Sequence, residues 1–218
     1  MVGRHPFSII VALAVVFIAG CPTIWKNTPA KTDVSAKELF EKSEDHFKKK
    51  EYSEALAAYE RLKSAHPDFE KMADVYQRIA DSFAETGKYE EAVARYRQFL
   101  DLYPNHKDRA RASYMIAMTL FKQIKDIERD DSMLRGAEAA FKTVLDDPTA
   151  GEWKTKAEEK YRECRKKLGE HELYKARTYL NLKRYQSARL SAQRVLDEYP
   201  KLGLDKEASA VIEKAKGK

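Results

Sequence analysis

Residues 72–104 of the chain read MADVYQRIADSFAETGKYEEAVARYRQFLDLYP, a stretch with the pattern of two short helices joined by a turn. Apolar residues recur at helical spacing on both sides of Gly87, which predicts two amphipathic helices. Gly87 can adopt the positive φ that the end of a helix needs, and Pro104 cannot continue the second helix. Ala80 and Ala92 lack bulk, so the two helices can approach closely where they cross. The stretch therefore predicts a helical hairpin.

The same pattern recurs along the chain at a spacing of 37 residues. Ala55 precedes Ala92 by that distance, and Pro67 precedes Pro104 by the same distance. A hairpin with small residues at the helix crossing and a closing proline resembles the tetratricopeptide repeat. One such hairpin leaves apolar surface bare, so several must stack. We predict an all-α fold, a right-handed superhelical solenoid of tetratricopeptide helical hairpins.

Four hairpins and a final helix are predicted within residues 35–218. In the third hairpin, Ala117 and Ala137 lie 20 residues apart where the earlier hairpins need 12, which indicates an insertion in its turn. The fourth begins with one uninterrupted rod that starts near Trp153 and is ~40 Å long. The predicted repeats are residues 36–69, 73–106, 110–149 with the insertion, and 153–202, followed by a capping helix at 204–216.

The first residues have the organisation of an export signal. Arg4 and His5 give a short basic start, and the apolar run FSIIVALAVVFIA at residues 7–19 follows. The run is too short for a spanning helix, which needs about 20 apolar residues. Its length before small residues is typical of a signal peptide.

The run ends in IAGC at Cys21, and this ending resembles the lipobox of bacterial lipoproteins. The resemblance implies a lipoprotein signal peptide at residues 1–20, and a lipidated Cys21 that begins a flexible tether at residues 21–34. It also implies attachment to a membrane by lipid. Pro22, standing where an Asp would favour retention at the inner membrane, favours the outer membrane.

Composition argues against several functional classes. The 41 basic and 35 acidic side chains are intermixed, which is typical of solvated helix faces, and an exported chain would meet no nucleic acid. If Cys21 is acylated, only Cys164 remains and no intramolecular disulfide can form. The five histidines are scattered, and no glycine-rich phosphate loop is evident. We therefore predict no catalytic residue, no cofactor and no metal ligand.

Several local strings resemble one family of repeat lipoproteins. They are ASYMIA at residues 112–117, RKKL at residues 165–168, and Tyr199-Pro200 at the close of the fourth hairpin. Together with the lipobox and the long fourth helix, they resemble the BamD family of the outer-membrane β-barrel assembly machinery. The resemblance implies a non-enzymatic scaffold, lipid-anchored at the periplasmic face of the outer membrane. Its implied partners are the periplasmic domains of BamA, other lipoproteins of the machinery, and unfolded outer-membrane proteins.

Two sets of candidate site residues follow from repeat position and from this resemblance. The first helices of the hairpins line the concave face of such a solenoid, where a substrate peptide would bind in a groove. The groove candidates are Phe40, Glu44, Phe47, Lys48, Gln77, Asp81 and Glu85. The candidates for contact with BamA are Arg129, Asp130, Arg189 and Arg194.

Two other functions stay open at this point. One is a different periplasmic tetratricopeptide-repeat adaptor for cell-envelope or division coordination, resembling the cell-division coordinator CpoB. The lipobox at Cys21 discriminates against it, because CpoB-like chains lack one. The other is an exported hydrolase on a helical-repeat scaffold, which would require a set of convergent catalytic groups.

Overall fold

The computed structural model describes residues 34–124 and 131–216, and within them the chain forms α-helices and no strand. The helices are α1 (Ala36–Lys48), α2 (Tyr52–Ala65), α3 (Met72–Glu85), α4 (Tyr89–Leu102), α5 (Arg109–Lys122), α6 (Ser132–Asp146), α7 (Glu152–Asn181), α8 (Tyr185–Glu198) and α9 (Asp205–Lys216). Consecutive helices pair as hairpins, and each hairpin packs on the next. The predicted all-α solenoid of stacked hairpins is confirmed.

Small and aromatic residues fill the positions that the repeat pattern assigns to the core. Ala80 of α3 and Ala92 of α4 are both fully buried, so the two helix backbones approach closely at this point. Tyr96 and Phe99 fill the space beside them and are also inaccessible to solvent. Core residues of this kind stabilise the fold by burying apolar area. The 37-residue pattern arises because successive hairpins use the same packing arrangement.

The turn inside a hairpin needs a residue in the left-handed backbone region. Gly87 has φ +76° between α3 and α4. In the first and fourth hairpins the equivalent positions are lysines, Lys50 with φ 62° and Lys183 with φ 58°. The turn geometry is therefore kept where glycine is absent, at the steric cost that a Cβ carries in this region.

The predicted rod at the start of the fourth hairpin is confirmed, because α7 runs through 30 residues. Its first half, with Cys164 and Leu168, packs in the core shared with α5 and α6. Its second half, with Leu173 and Ala176, packs in the core shared with α8 and α9. One helix thus belongs to two hydrophobic cores.

The predicted insertion, signal peptide and tether fall largely outside the described residues. The insertion is predicted to cover part of residues 126–134; residues 125–130 lie outside the described ones, and α6 begins at Ser132. The signal peptide at residues 1–20, Cys21, and the tether up to residue 33 also lie outside. Among the helices that are described, none combines the length and the hydropathy needed to cross a bilayer.

Candidate functional site

A cavity of about 330 Å³ lies between the first helices of the first three hairpins. The helices α1, α3 and α5 supply its walls, as the repeat pattern predicts for a concave face. Most of its lining is charged or polar, and one aromatic ring contributes. The lining residues are Phe40, Glu44, Lys71, Asp74, Gln77, Arg78, Asp81, Asp108 and Arg111.

Glu44 joins the first hairpin to the second through a shared carboxylate. The Tyr59 hydroxyl donates to Glu44 Oε1 at 2.5 Å from the same hairpin. Arg78 of α3 donates from Nε to Oε1 at 2.8 Å and from a terminal nitrogen to Oε2 at 3.2 Å. Because Arg78 engages both carboxylate oxygens, the contact fixes the orientation of one hairpin on the other.

Asp81 repeats this arrangement one hairpin later, 37 residues after Glu44. The Tyr96 hydroxyl donates to Asp81 Oδ1 at 2.5 Å, and Arg111 of α5 donates to the two carboxylate oxygens at 2.9 and 2.8 Å. Arg111 also donates to Gln77 Oε1 at 2.9 Å. The Asp81 side chain is only 6% exposed, so this pairing is needed to offset its desolvation.

The surroundings of Tyr59, Tyr96 and Arg78 raise the pKa of each of these three side chains. Burial, and then the Glu44 carboxylate, raise the pKa of Tyr59 above its usual value. Burial and the Asp81 carboxylate raise the pKa of Tyr96 in the same way. Burial opposes the charge of Arg78, but Glu44 more than offsets it, so the pKa of Arg78 also lies above its usual value. Both phenols therefore remain donors, and the guanidinium remains charged.

One end of the cavity has an aromatic surface and a lysine, Lys71, that is not part of an ion pair in the described residues. Phe40 packs on Phe69 at a centroid distance of 5.5 Å and on Tyr59 at 6.4 Å. The Lys71 ammonium lies 5.4 Å from the centre of the Phe40 ring. In contrast to Arg78 and Arg111, Lys71 forms no ion pair with any residue that the structure describes.

The structure brings four of the seven predicted groove residues to the cavity wall, namely Phe40, Glu44, Gln77 and Asp81. The other three are not among its lining residues. Phe47 packs on Tyr52 and under the Arg78 guanidinium, which lies 4.6 Å from its ring centre. Lys48 is exposed, and Glu85 is exposed and pairs with Lys122 at 3.6 Å.

Five lining residues were not predicted from the sequence: Lys71, Asp74, Arg78, Asp108 and Arg111. Lys71 and Asp108 are the N-cap residues of α3 and α5, and a search restricted to helix faces passes over such positions. Arg78 and Arg111 lie 33 residues apart, so they break the 37-residue register. Both arginines lie in the first helix of the hairpin that follows the acid they bind, and this position is the signal that could have found them.

The predicted partner-contact residues divide between α8 and the undescribed insertion. Arg189 and Arg194 are both exposed on α8, and Leu190 between them is 57% exposed. Arg194 also lies 3.6 Å from the buried carboxylate of Glu172 on α7. Arg129 and Asp130 lie outside the described residues.

Comparison with known proteins extends these observations. An outer-membrane protein assembly factor BamD of Neisseria meningitidis serogroup A is 23% identical over 203 residues, covering 88% of this chain and 76% of the relative. One from Caulobacter vibrioides is 24% identical over 230 residues, covering 94% and 73%.

Among solved structures, the TPR2AB domain of yeast Sti1 in complex with pHSP90 is 17% identical. It covers 83% of this chain and 76% of that one, with a TM-score of 0.51. This likeness supports the tetratricopeptide-type fold. The model of the YfiO family, described as an outer membrane lipoprotein, matches residues 32–217. The chain therefore belongs to the YfiO family of outer membrane lipoproteins.

Proposed function

We propose that this protein is a lipid-anchored scaffold of the outer-membrane β-barrel assembly machinery, without catalytic activity of its own. Family membership and the relatives named as outer-membrane protein assembly factor BamD support a role in outer-membrane protein assembly. The lipobox at Cys21 supports an anchor at the periplasmic face of the outer membrane. Three acyl chains, worth about 0.8 kcal/mol per buried methylene, would make that attachment effectively permanent.

In this proposal the cavity of the first three hairpins receives unfolded outer-membrane proteins. The single observation that carries it is the pairing of an aromatic surface, Phe40, with a cation that no internal acid neutralises, Lys71. A peptide that ends in an aromatic residue presents a ring and a terminal carboxylate close together. Phe40 would pack on the ring, and Lys71 would attract the carboxylate.

The two arginines of the cavity serve a different purpose in this proposal. Arg78 and Arg111 are held by Glu44 and Asp81, so a ligand carboxylate would have to break an internal pair to reach them. Breaking either pair would leave Glu44 or Asp81 without its partner in a partly buried position, which is unfavourable. The arginines therefore shape the groove floor, and the terminal carboxylate is directed to Lys71.

A binding measurement with a synthetic peptide tests the groove. The peptide carries the last strand of an outer-membrane β-barrel protein with its terminal aromatic residue, and fluorescence anisotropy reports its affinity. We expect Lys71→Glu to weaken binding by roughly tenfold, the equivalent of about 1.4 kcal/mol. An amidated peptide should bind the native protein as weakly, and should lose little more with Lys71→Glu, since both changes remove the same contact.

Lys37→Glu is the matched control, because it makes the same charge change on α1 at a side chain that is 83% exposed. It should leave the affinity nearly unchanged. If Lys37→Glu and Lys71→Glu lowered the peptide affinity equally, binding would depend only on the net charge of the protein, and the groove proposal would be contradicted.

The C-terminal half would contact BamA through α8. Arg189 and Arg194 flank the exposed Leu190, and a cation pair around an apolar side chain suits a partner surface with acidic residues around an apolar pocket. Other lipoproteins of the machinery would join through BamA or through this half of the chain. The undescribed Arg129 and Asp130 remain candidates for the same contact by family resemblance alone.

Recovery from detergent-solubilised envelopes tests the BamA contact. The native protein should recover BamA, and Arg189→Glu with Arg194→Glu should reduce that recovery several-fold. Arg97→Glu, an exposed arginine of α4, is the control and should recover BamA normally.

Depletion of the protein in cells should lower the level of many β-barrel proteins. A wall or division defect with normal β-barrel proteins would instead support the adaptor function.

A further inference from the structure

Three potential metal ligands meet at the junction of the second and third hairpins. Asp74 lies in the first turn of α3, His106 in the loop after α4, and Asp108 is the N-cap residue of α5. One ligand atom from each lies within 4.8 Å of the other two, and all three side chains are half-buried. We propose that these residues bind a divalent transition-metal cation, with zinc as the principal ion. This proposal does not rest on the proposed function.

The donor set has the chemistry of such a site. One imidazole nitrogen and two carboxylate oxygens suit zinc, and also accept manganese, cobalt or nickel. The Asp108 N–H lies 3.2 Å from His106 Nδ1, so the histidine ring and the start of α5 are already in contact. The His106 ring also packs edge-on against Phe99 at 5.4 Å, which limits its rotation. The histidine is thus held in place before any ion arrives.

The two carboxylates make few contacts with the residues that the structure describes. Asp108 makes no side-chain cap to α5. Its own contacts are weak, since Gln77 Nε2 lies 3.4 Å and His106 Nδ1 lies 3.7 Å from Oδ2. Asp74 has no hydrogen-bond or ion-pair partner in residues 34–124 and 131–216. Two like charges held together without a counter-charge repel each other, and a bound cation would remove that repulsion.

Nearby basic side chains do not supply the missing charge. Arg78 is held by Glu44, and Arg111 is held by Asp81 and Gln77. Lys71 lies over the Phe40 ring. Arg78 and Arg111 are thus paired with other acids, and none of the three cations forms an ion pair with Asp74 or Asp108 in the described residues.

The repeat pattern offers an internal comparison. At a spacing of 37 residues, the positions of Asp74, His106 and Asp108 correspond to Lys37, Phe69 and Lys71 in the preceding junction. None of those three side chains is a ligand for a divalent cation. The hairpin junction can therefore be built without these groups, so packing alone does not require the set of three. The sequence predicted no metal ligand because Asp74 lies 32 residues before His106, and His106 with Asp108 alone forms no metal-binding motif.

Three protein ligands leave at least one position of a tetrahedral ion open. Asp74 and Asp108 both line the cavity, so the open position is accessible to water or to an oxygen ligand from it. The ion would link α3, the loop after α4, and the start of α5. Metal binding would stabilise the second and third hairpins together.

The test uses the full chain in detergent, purified without a histidine tag and stripped of metal with a chelator. Zinc chloride is then added, and thermal unfolding and calorimetric titration are measured. We expect one ion per chain and a rise in melting temperature of at least about 2 °C. His106→Ala should weaken zinc binding by roughly tenfold or more and abolish the rise. His66→Ala, a half-buried histidine in the preceding junction, is the matched control and should keep the full response.

Cobalt distinguishes this site from the cysteines. Cobalt bound to nitrogen and oxygen shows no thiolate charge-transfer band, so the expected spectrum lacks that band. An unchanged melting temperature in the native protein would overturn the proposal, as would an equal rise in His106→Ala, or a thiolate band. If His106→Ala fails to fold, Asp74→Asn decides instead, because Asp74 forms no hydrogen bond or ion pair with the other residues that the structure describes.

Discussion

Gly169 and Gly136 are both glycines inside helices, but their surroundings differ. A Cβ placed on Gly169 would lie 2.7 Å from Leu204 Cδ1 and 3.1 Å from Tyr199 Cβ. The Leu204 methyl is the end of a flexible side chain, whereas the Tyr199 Cβ is one bond from the backbone and cannot retreat. Around Gly136 of α6 nothing lies within 4 Å of such a Cβ. Gly169 therefore allows α7 to approach the segment after α8 closely, and Gly136 serves no such contact.

Alanine at the two glycines should therefore have opposite effects. Gly136→Ala should raise the free energy of unfolding by about 1 kcal/mol, because alanine is the better helix former. Gly169→Ala should lower it by about 1–3 kcal/mol, because overpacking outweighs the gain in helix propensity. Urea denaturation followed by circular dichroism measures both. Stabilisation by Gly169→Ala would show that Tyr199 and Leu204 can move aside without loss.

At the scale of elements, α7 couples the third hairpin to the fourth. Leu168 is buried in the core of α5 and α6, and Leu173, only five residues later, is buried in the core of α8 and α9. Helical continuity between these two residues links the two cores, beside the packing of Tyr199, at the end of α8, in the first of them. An interruption there would leave each core with its own half of the helix.

Glu170→Pro interrupts α7 between the two cores. Glu170 is exposed and makes only a surface ion pair with Lys166 at 3.9 Å, so its side chain contributes little to either core. The proline should cost about 3 kcal/mol or more and should separate unfolding into two transitions. Glu170→Ala is the control, and it should stay within about 0.5 kcal/mol of the native protein. A single cooperative transition in Glu170→Pro would mean that other contacts couple the cores.

The elements were largely predictable from the sequence, whereas the cavity was predictable only in part. Ala92 and Tyr96 repeat Ala55 and Tyr59 at a spacing of 37 residues, because each pair packs in the same way within its own hairpin. Sequence periodicity therefore identifies these core positions. Arg78 and Arg111 act between hairpins, and nothing in the repeat fixes their register. The meeting of Asp74 with Asp108 depends on how two hairpins stack, which no local pattern encodes.

At the scale of the whole molecule, stability at acidic pH depends on carboxylates of the third hairpin. The Arg135 hydrogen bond lowers the pKa of Asp131 below its ordinary value of 3.8. Hydrogen bonds from Thr149, and then the charge of Arg109, lower the pKa of Asp147 below the same value. Arg109 at the start of α5 lies 2.5 Å from Asp147, which follows α6, so this contact closes the hairpin.

The sign of the pH effect follows from these directions. A carboxyl group whose pKa is lower in the folded protein stabilises it above the unfolded pKa, and this contribution is lost as pH falls through the folded pKa. We expect a free energy of unfolding that is steady above about pH 5 and declines below about pH 4. Asp147→Asn should make the decline shallower. Asp146→Asn, whose exposed side chain pairs with Lys142, is the control. Identical curves for the two variants would contradict the assignment.

The 30 residues of α7 also limit how such a chain can change its length. Each of the first two hairpins consists of two helices of similar length, so the duplication or deletion of one hairpin would still leave complete hairpins. In the second half of the chain, the first half of α7 completes the core of the third hairpin and its second half completes the core of the fourth. A change of length in this half of the chain therefore preserves both cores only if α7 is retained whole.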